Sequence, residues 1–324
     1  MVFKRMLGAL GVGAPTVDTV LSTSRTRPGG TLAGEVRLKG GDFDAEIEHI
    51  TLGLVARVEI EYGDGEGGGV SEFARTEVSG PFTLRKSEDR SVAFEIPVPW
   101  ESPISQIDGQ PLTGMAVGVR TELAIAKAVD KGDLDMFAVE PLPSQLRILE
   151  GLLGLGFRFK SADLELGHLR GIRQELPFYQ EIEFYPTGQY AGAVGEIEVT
   201  FVADPARLEV VLEADKRAGR YSGDALGRFT VSHDDALHTD WAAELGGWLA
   251  GLSQYGHHSG GHSGGHFGHH DGHGQHGHHG HHDGPGMGTI AAAGAAGVVG
   301  GLVAGEIVEE VFEEVFEGDE GGDW

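Results

Sequence analysis

The 324-residue chain contains no cysteine, so it has no disulfide, no thiolate metal site and no cysteine nucleophile. Basic residues are also few. Only 24 Lys and Arg stand against 50 Asp and Glu, which gives a net charge of −26 with His neutral. Such an excess of negative charge disfavours nucleic acid and anionic membrane surfaces as partners. We therefore expect no nucleic-acid partner, and the absence of cysteine fits a cytoplasmic location.

Long apolar runs are scarce as well. Residues 290–305 form an apolar run of sixteen residues that is rich in Gly and Ala, whereas a transmembrane helix needs about 20 predominantly apolar residues. The run at residues 6–14 is near the lower length limit for a signal-peptide core. We expect neither a membrane partner nor a cleaved leader, but a short N-terminal helix that packs Phe3, Leu7 and Leu10 on the first domain.

Sequence motifs for catalysis are missing. The chain has no P-loop, no G-x-S-x-G elbow and no HExxH motif. One carboxylate–histidine cluster, HDDALHTD, brings together His233, Asp234, Asp235 and His238, which a hydrolase could use. The same residue types cap helices that follow a turn, and we favour that interpretation. The sequence therefore predicts no catalytic residue and no enzyme.

Alternating apolar and polar residues are the main structural signal. The stretch TLAGEVRLK places Leu32, Val36 and Leu38 on one side, and TLGLVARVEIEY and RSVAFEIPVPW alternate in the same way. Period-two alternation predicts half-buried antiparallel strands. Turn signals such as GDGEGGG at residues 63–69 separate them. No helical pattern falls between these strands, so we predict an all-β sandwich rather than βαβ units.

The sequence PLPS at residues 141–144 suggests an extended connector between two domains, residues 1–140 and 141–255. Strands resume after it, and Asp204-Pro205 interrupts one alternating run in the manner of a hairpin. The stretch WAAELGGWLAGLSQY, which ends the second domain, predicts a short helix. Its packing residues are Trp241, Leu245, Trp248 and Leu252.

A histidine- and glycine-rich linker is predicted at residues 256–286. It holds twelve of the sixteen histidines of the chain: His257, His258, His262, His266, His269, His270, His273, His276, His278, His279, His281 and His282. Imidazole binds Zn, Ni and Cu. A defined site, however, needs a scaffold and outer-shell partners, and this composition cannot bury a core. We predict a disordered spacer with weak, non-specific metal binding and no cofactor. The alternative is a metal-buffering or metal-sensing protein.

The C-terminal tail, residues 287–324, carries an amphipathic helical pattern. Gly297, Gly301 and Gly305 line one side, and glutamates fill the face opposite an apolar stripe. The stripe consists of Ile307, Val308, Val311, Phe312, Val315 and Phe316. We predict that this helix binds a protein. It could dock on its own β domains, on another copy of the chain or on a different partner.

Several stretches resemble the sporulation-control protein family of Gram-positive bacteria, which is related to arrestins. They include RPGGTLAGEVRLKGGDFDAEIEHITLGL, GFRFKSADLELG and the most specific block, which runs from PVPWESPIS to AVDKGD. The similarity covers about residues 8 to 240. It implies two arrestin-like β-sandwiches in tandem, a cytoplasmic location, no known catalysis, and a regulatory or scaffolding role in sporulation or development. No family motif with an assigned catalytic residue is present, and the histidine tract and the tail extend beyond the resemblance.

Overall fold

The computed structural model describes residues 13–62, 65–191, 194–214 and 225–255. The predicted N-terminal helix, the histidine-rich linker and the acidic tail lie outside these residues. The described chain is mostly β, as the alternating patterns predicted. None of its helices is both long and apolar enough to cross a lipid bilayer.

Twelve of the described strands precede residue 141. They are β1 (Thr16–Leu21), β2 (Arg25–Thr26), β3 (Thr31–Lys39), β4 (Ala45–Tyr62), β5 (Gly65–Ser79), β6 (Phe82–Leu84), β7 (Asp89–Pro97), β8 (Gln106–Ile107), β9 (Gln110–Pro111), β10 (Val117–Ile125), β11 (Lys131–Met136) and β12 (Ala138–Val139).

Five further described strands and three α-helices follow. They are α1 (Pro143–Gly154), β13 (Arg158–Leu166), β14 (Phe178–Tyr185), β15 (Ile197–Ala203), β16 (Arg207–Ala214), β17 (Ala225–Ser232), α2 (His233–His238) and α3 (Trp241–Tyr255). A 3-10 turn at Gly188–Tyr190 lies between β14 and β15.

The first half contains two sheets that share one apolar core. β1, β3 and β7 form a three-stranded antiparallel sheet. β4, at the centre of the other sheet, pairs with β10 on one side and with β5 and β6 on the other. Leu32 and Val36 from the first sheet and Leu52 and Leu54 from the second are buried in the same core. The alternation predicted for β3 is therefore confirmed.

β4 is buried more completely than its alternation predicted. Every residue from Ile50 to Ala56 is buried, on both faces of the strand. Val55 packs with Ala116 in a second, small apolar cluster on the side away from the main core. The sequence pattern missed this cluster because it is assembled from strands that are distant along the chain.

The second half is a meander in which β13, β14, β15, β16 and β17 are neighbours in chain order. The predicted hairpin at Asp204-Pro205 is confirmed, since β15 and β16 pair from Ile197 with Ala214 to Ala203 with Leu208. The meander joins the first half at one parallel bridge between Glu165 and Glu59. The described residues include no second sheet facing the meander, so the second sandwich stays a prediction.

Helices cover the apolar face of the meander. In α3, Trp241 packs edge-on against Phe229 of β17, and Trp248 lies over Gly227 of the same strand. Trp241 and Leu245 also contact Gly151 of α1, where a β-carbon would come within 2.6 Å of Trp241 Cβ. The helix predicted from WAAELGGWLAGLSQY is therefore confirmed. Its packing creates an aromatic layer between α1 and the sheet edge.

The predicted extended connector at residues 141–144 is confirmed only at its start. Leu142, which precedes Pro143, is extended, but helix α1 begins within the PLPS sequence, because Pro143 suits the first helical position and the Gln145 side chain accepts the Leu142 N–H at 2.8 Å. One loop prediction was wrong. The glycine-rich stretch predicted as a loop at residues 63–69 is largely strand, since β5 begins at Gly65 and pairs with β4 along its whole length. Pairing with a long neighbouring strand outweighs the low strand propensity of glycine.

Candidate functional site

One face of the meander is strongly acidic. Strand alternation directs Ile182, Val199 and Leu212 toward the core and leaves the intervening carboxylates on the other face. We call this surface the carboxylate face. It consists of Asp163, Glu165, Glu181, Glu183, Glu196, Glu198, Glu209 and Glu213.

Several of these carboxylates lie directly opposite one another across neighbouring strands. Asp163 pairs with Glu181, Glu183 with Glu198, and Glu198 with Glu213. Like charges in directly opposed positions destabilise a sheet, because their side chains are only about 5 Å apart at the β-carbons. The face therefore concentrates electrostatic repulsion that a bound cation would relieve.

A lysine already neutralises one part of the face. Lys160 Nζ lies 2.6 Å from Glu196 Oε1 and 3.2 Å from Glu183 Oε2. Burial opposes ionisation of Glu183, but hydrogen bonds from Ser161 and Lys160 outweigh it, so the pKa of Glu183 is lowered. Glu183 is therefore ionised at neutral pH and fixed by its two donors.

The neighbouring part of the face has no such partner. Among the described residues, no Lys or Arg lies within ion-pair distance of Asp163, Glu181 or Glu198. Burial and nearby carboxylates, Glu183 first among them, raise the pKa of Asp163 to about 7. Burial and the charge of Glu198 raise the pKa of Glu181 to about 9. Burial and the charge of Glu213 raise the pKa of Glu198 to about 7.

Two sets of carboxylates on this face come close enough to share a cation. Asp163, Glu165 and Glu181 form one set, and a second consists of Glu183, Glu196 and Glu198; within each, one oxygen per residue lies within 4.8 Å of the others. Carboxylate oxygens are the ligands that hard divalent cations prefer. The ammonium of Lys160 contacts two members of the second set. The chemistry this face can perform is the binding of positive charge.

The predicted carboxylate–histidine cluster is dispersed rather than assembled. His233 Nδ1 contacts Ser144 Oγ at 2.9 Å, and its Nε2 contacts the Asp204 carbonyl oxygen at 2.8 Å. Asp235 belongs to the start of α2, where its backbone N–H donates to Ser232 Oγ at 3.1 Å. His238 has a side chain 77% exposed and lies 3.9 Å from Asp234. These residues therefore form a helix start rather than a catalytic cluster, as we favoured, but the N-cap is Ser232, which was not among the predicted residues. The serine partner of His233 was missed because it lies 89 residues away.

The PVPWESPIS block joins the two halves of the molecule. Trp100 packs against the ring of His233 at a centroid distance of 5.8 Å. The carboxylate of Glu101 accepts hydrogen bonds from the backbone N–H groups of Glu175 and Leu176 at 2.8 to 2.9 Å. Each contact links a residue before position 141 to one after it.

The buried side-chain amide of Gln180 adds a further contact between the two halves. Gln180 Oε1 accepts the Ile104 N–H at 2.8 Å, and Gln180 Nε2 donates to the Ile104 carbonyl at 2.7 Å. The side chain thus satisfies both backbone groups of one residue in the other half. No pattern along the chain indicates these pairs, because each combines residues more than seventy positions apart.

The site residues predicted from sequence lie outside the described residues. They comprise the apolar stripe Ile307, Val308, Val311, Phe312, Val315 and Phe316 and the twelve histidines of the linker. Partner binding by the stripe and metal binding by the histidines therefore stay predictions.

The described residues define a mostly β protein. Its first half has two sheets and is joined to a single meander. The chain matches the profile of the SpoOM protein family over residues 3–218. It is 35% identical to the sporulation-control protein Spo0M of Bacillus subtilis over 217 residues, which is 67% of this chain and 81% of that protein. The crystal structure of Spo0M from Bacillus subtilis superposes with a TM-score of 0.67 and 31% identity, covering 74% of this chain and all of the other. The chain therefore belongs to the SpoOM family, as the resemblance predicted.

Proposed function

We propose that this chain is a non-enzymatic, arrestin-like regulatory or scaffold protein that controls sporulation or development through protein–protein contacts in the cytoplasm. The observation that carries the proposal is the 35% identity over 217 residues to a protein named for sporulation control. The family match over residues 3–218 includes the block that joins the two halves. The relative and this chain are therefore expected to share the joined body on which partners would dock.

An exposed sheet edge supports this mode of action. β17 pairs only with β16 among the described strands, so its outer edge offers backbone donors and acceptors. Such an edge can take up an extended peptide as an added strand. Leu226, on the same strand, is 55% exposed. An apolar side chain beside the open edge would let a docked peptide bury apolar surface as well as form backbone hydrogen bonds.

The C-terminal stripe is the second part of the proposal. Ile307, Val308, Val311, Phe312, Val315 and Phe316 would present one apolar face of a helix to a partner or to another copy of the chain. The glutamates of the opposite face would keep the free helix soluble. Because the stripe follows a long polar linker, it could reach partners that the β domains do not contact directly.

The test is a deletion of the gene in the host that encodes it, with the frequency and timing of spore formation as the readout. We expect the deletion to change one of these and the wild-type chain to restore it. Leu226→Lys should fail to restore it, whereas the control Leu153→Lys, at a helix residue 52% exposed, should restore it fully. Unchanged sporulation after the deletion would overturn the proposed role. Equal behaviour of the two lysine variants would exclude the β17 surface.

A further inference from the structure

The two sheets of the first half meet along one line between strand edges. Among the described strands, β1 is the edge of the three-stranded sheet and β11 is the edge of the larger sheet, and the two pack against each other. The strands that follow them, β2 and β12, pair in parallel, and the backbone N–H of Ala138 donates to the Ser24 carbonyl at 2.8 Å. We call this line, where residues 16–26 lie beside residues 131–139, the seam.

Beside β1, side chains close the seam. Asp133 Oδ2 accepts the backbone N–H of Thr19 at 2.6 Å, in the place where the carbonyl of a neighbouring strand would accept it. The hydroxyl of Thr19 lies 2.5 Å from that of Thr121, and Thr121 is directly opposite Asp133 in the register of β10 and β11. The contact between β1 and the larger sheet therefore depends on the Asp133 carboxylate.

A second aspartate lies beside Asp133. Residues two positions apart share one face of a strand, so Asp135 is on the same side of β11, opposite the buried core residue Val119. Asp135 Oδ2 is fully buried and receives no N–H from the described residues, and the hydrogen bond of this side chain is with the side chain of Asp133. Two carboxyl groups can form such a bond only when one of them is protonated, because an ionised carboxylate has no donor.

The surroundings of this pair are negative. Asp18 on β1 adds the charge of a third carboxylate, and no basic side chain among the described residues lies within ion-pair distance of Asp133 or Asp135. On β10, the charged side chains lie on the opposite face of the sheet, because their register partners are Leu134 and Gly132. The charged and titratable groups of the elements around the pair are Asp18, Arg25, Arg37, Arg120, Glu122, Asp130, Lys131 and Glu140.

We propose that Asp133 and Asp135 form a proton-controlled closure of the seam, in which one shared proton holds β11 against β1 and its loss at higher pH releases the edge of β1. With the proton present, the pair carries one negative charge and Asp133 keeps an oxygen for the Thr19 N–H. Without it, like charges face each other in a half-buried place, and separation of the strands relieves their repulsion. This inference goes beyond the regulatory role proposed above, because it concerns a conformational equilibrium that needs no partner.

The pH range of the closure follows from the environment of Asp135. Burial first, and then the charge of Asp133 and the hydrogen bond with it, raise the pKa of Asp135 to about 7. In an opened seam the group regains water and its usual pKa of about 4. The closed seam therefore holds an additional proton between these limits. The stability that this proton gives to the closed seam is fully present below about pH 4 and is lost as pH rises to about 7, above which opening changes no further.

Hydrogen exchange of the Thr19 amide measures opening of the seam in the full chain. The exchange rate, divided by the rate of an unstructured chain at the same pH, gives the fraction of molecules in which this N–H is released. We expect that fraction to rise at least about tenfold from about pH 5 to about pH 8. Equal fractions at the two pH values would overturn the proposal. So would an equal rise at Val210, at the centre of the meander, because the whole molecule would then be unfolding.

An asparagine at position 135 separates the shared proton from other effects of pH. The amide of Asp135→Asn can donate to Asp133 as the protonated acid does, but it does not titrate, so Thr19 should be protected equally at both pH values, within about twofold. The matched control Asp234→Asn removes the same charge from a side chain 86% exposed in the other half, and it should keep the tenfold rise. Persistence of the response in Asp135→Asn, or its loss in the control, would contradict the closure.

A titration of the wild-type chain tests the same point without a substitution. The ¹³C resonance of the Asp135 carboxyl should change with a midpoint near pH 7, and the Thr19 opening should level off at the same pH. A midpoint near about pH 4, the ordinary value for aspartate, would show that no proton is shared in the closed seam and would overturn the proposal. None of these measurements involves a partner or spore formation, so the closure and the proposed regulatory role can fail independently.

Discussion

The hydroxyl of Ser144 and Nδ1 of His233 lie 2.9 Å apart and tie the start of helix α1 to the start of α2. The other ring nitrogen faces the Asp204 carbonyl, which can only accept a hydrogen bond, so Nε2 carries the hydrogen. Nδ1 is then the acceptor, and Ser144 donates to it. Ser144 is 2% exposed, so no substrate reaches its hydroxyl. The pair stabilises the packing of α1 against α2 and is not a nucleophile with its base.

Removal of the Ser144–His233 hydrogen bond should lower the free energy of unfolding. Ser144→Ala leaves His233 Nδ1 without its donor, and we expect it to lower the free energy of unfolding by about 1 kcal/mol. His233→Ala also leaves the Asp204 carbonyl unpaired and removes the ring beside Trp100, so about 2–3 kcal/mol is expected. Urea denaturation measures both. His238→Ala, at an exposed position, is the control and should stay within about 0.5 kcal/mol of wild type. A larger effect at His238 than at His233 would contradict this assignment.

Gln180 should contribute strongly to the free energy of unfolding. Gln180→Leu keeps a similar side-chain size but leaves both the N–H and the carbonyl of Ile104 unpaired in a buried position. We expect a loss of about 2–4 kcal/mol in the free energy of unfolding, because an unmade buried hydrogen bond costs its full desolvation. The exposed Gln189→Leu is the matched control and should have little effect. Similar denaturation midpoints for the two variants would show that the contact between the two halves does not depend on the Gln180 amide.

Two glycines should respond to the same substitution with opposite signs. Gly29 has φ +70°, and a β-carbon there would come within 2.3 Å of the Trp100 ring. Gly29→Ala should therefore destabilise the protein by about 2–4 kcal/mol through backbone strain and displacement of Trp100. Gly247 lies within α3, and a β-carbon added there would meet nothing within 4 Å, so Gly247→Ala should stabilise by about 0.5–1 kcal/mol. Thermal unfolding of both variants checks the pair, and a shift in the same direction for both would contradict it.

The carboxylate face should make stability fall as pH rises. The pKa values of Asp163, Glu181 and Glu198 in the folded chain lie at about 7 to 9, above the values of about 4 expected when unfolded. The folded state therefore holds more protons between these limits. The stability that these groups contribute is fully present at and below about pH 4 and is lost as pH rises through their folded pKa values.

Neutral substitution of two of these groups tests that dependence. The double variant Glu181→Gln and Glu198→Gln should gain about 1–2 kcal/mol over wild type at pH 8 and almost nothing at pH 4. Denaturant titrations at the two pH values give the comparison. Glu48→Gln with Glu95→Gln changes net charge equally on exposed positions and should show no such pH dependence. A gain of equal size at both pH values would mean that repulsion on this face is not its source.

Much of the β structure was readable from the residues. The alternating pattern in β3 and the Asp204-Pro205 break between β15 and β16 predicted both the strands and the buried side, because a strand exposes alternate faces. The aromatic and leucine spacing of α3 likewise predicted its packing. The family was recognisable from the PVPWESPIS region. The start of helix α1 could also have been predicted, since Pro143 and Gln145 are typical of a helix start, but the sequence PLPS was interpreted only as an extended connector.

The carboxylate face could be predicted from the sequence only in part. Alternate positions in EIEFY and EIEVTF are acidic, which predicts an acidic sheet face, but not which acids oppose each other. That depends on register: pairing of Glu183 with Glu198, and of Glu198 with Glu213, is set by three strands meeting in one alignment. The raised pKa values follow from this proximity. A shift of one residue in either pairing would have moved the carboxylates to the opposite face.

The sequence by itself determined local conformation, the acidic balance and the membership of a family, because these depend on periodicity, composition and short blocks of residues. Tertiary structure alone decided which distant groups meet. Trp100 reaches His233, Gln180 satisfies Ile104, and Asp163 faces Glu181 only after the chain has packed. Such contacts carry little local signal, since any of these residues could lie on a strand or loop surface. Their partners are chosen by the packing of the apolar core, which brings together chain segments that no pattern along the sequence connects.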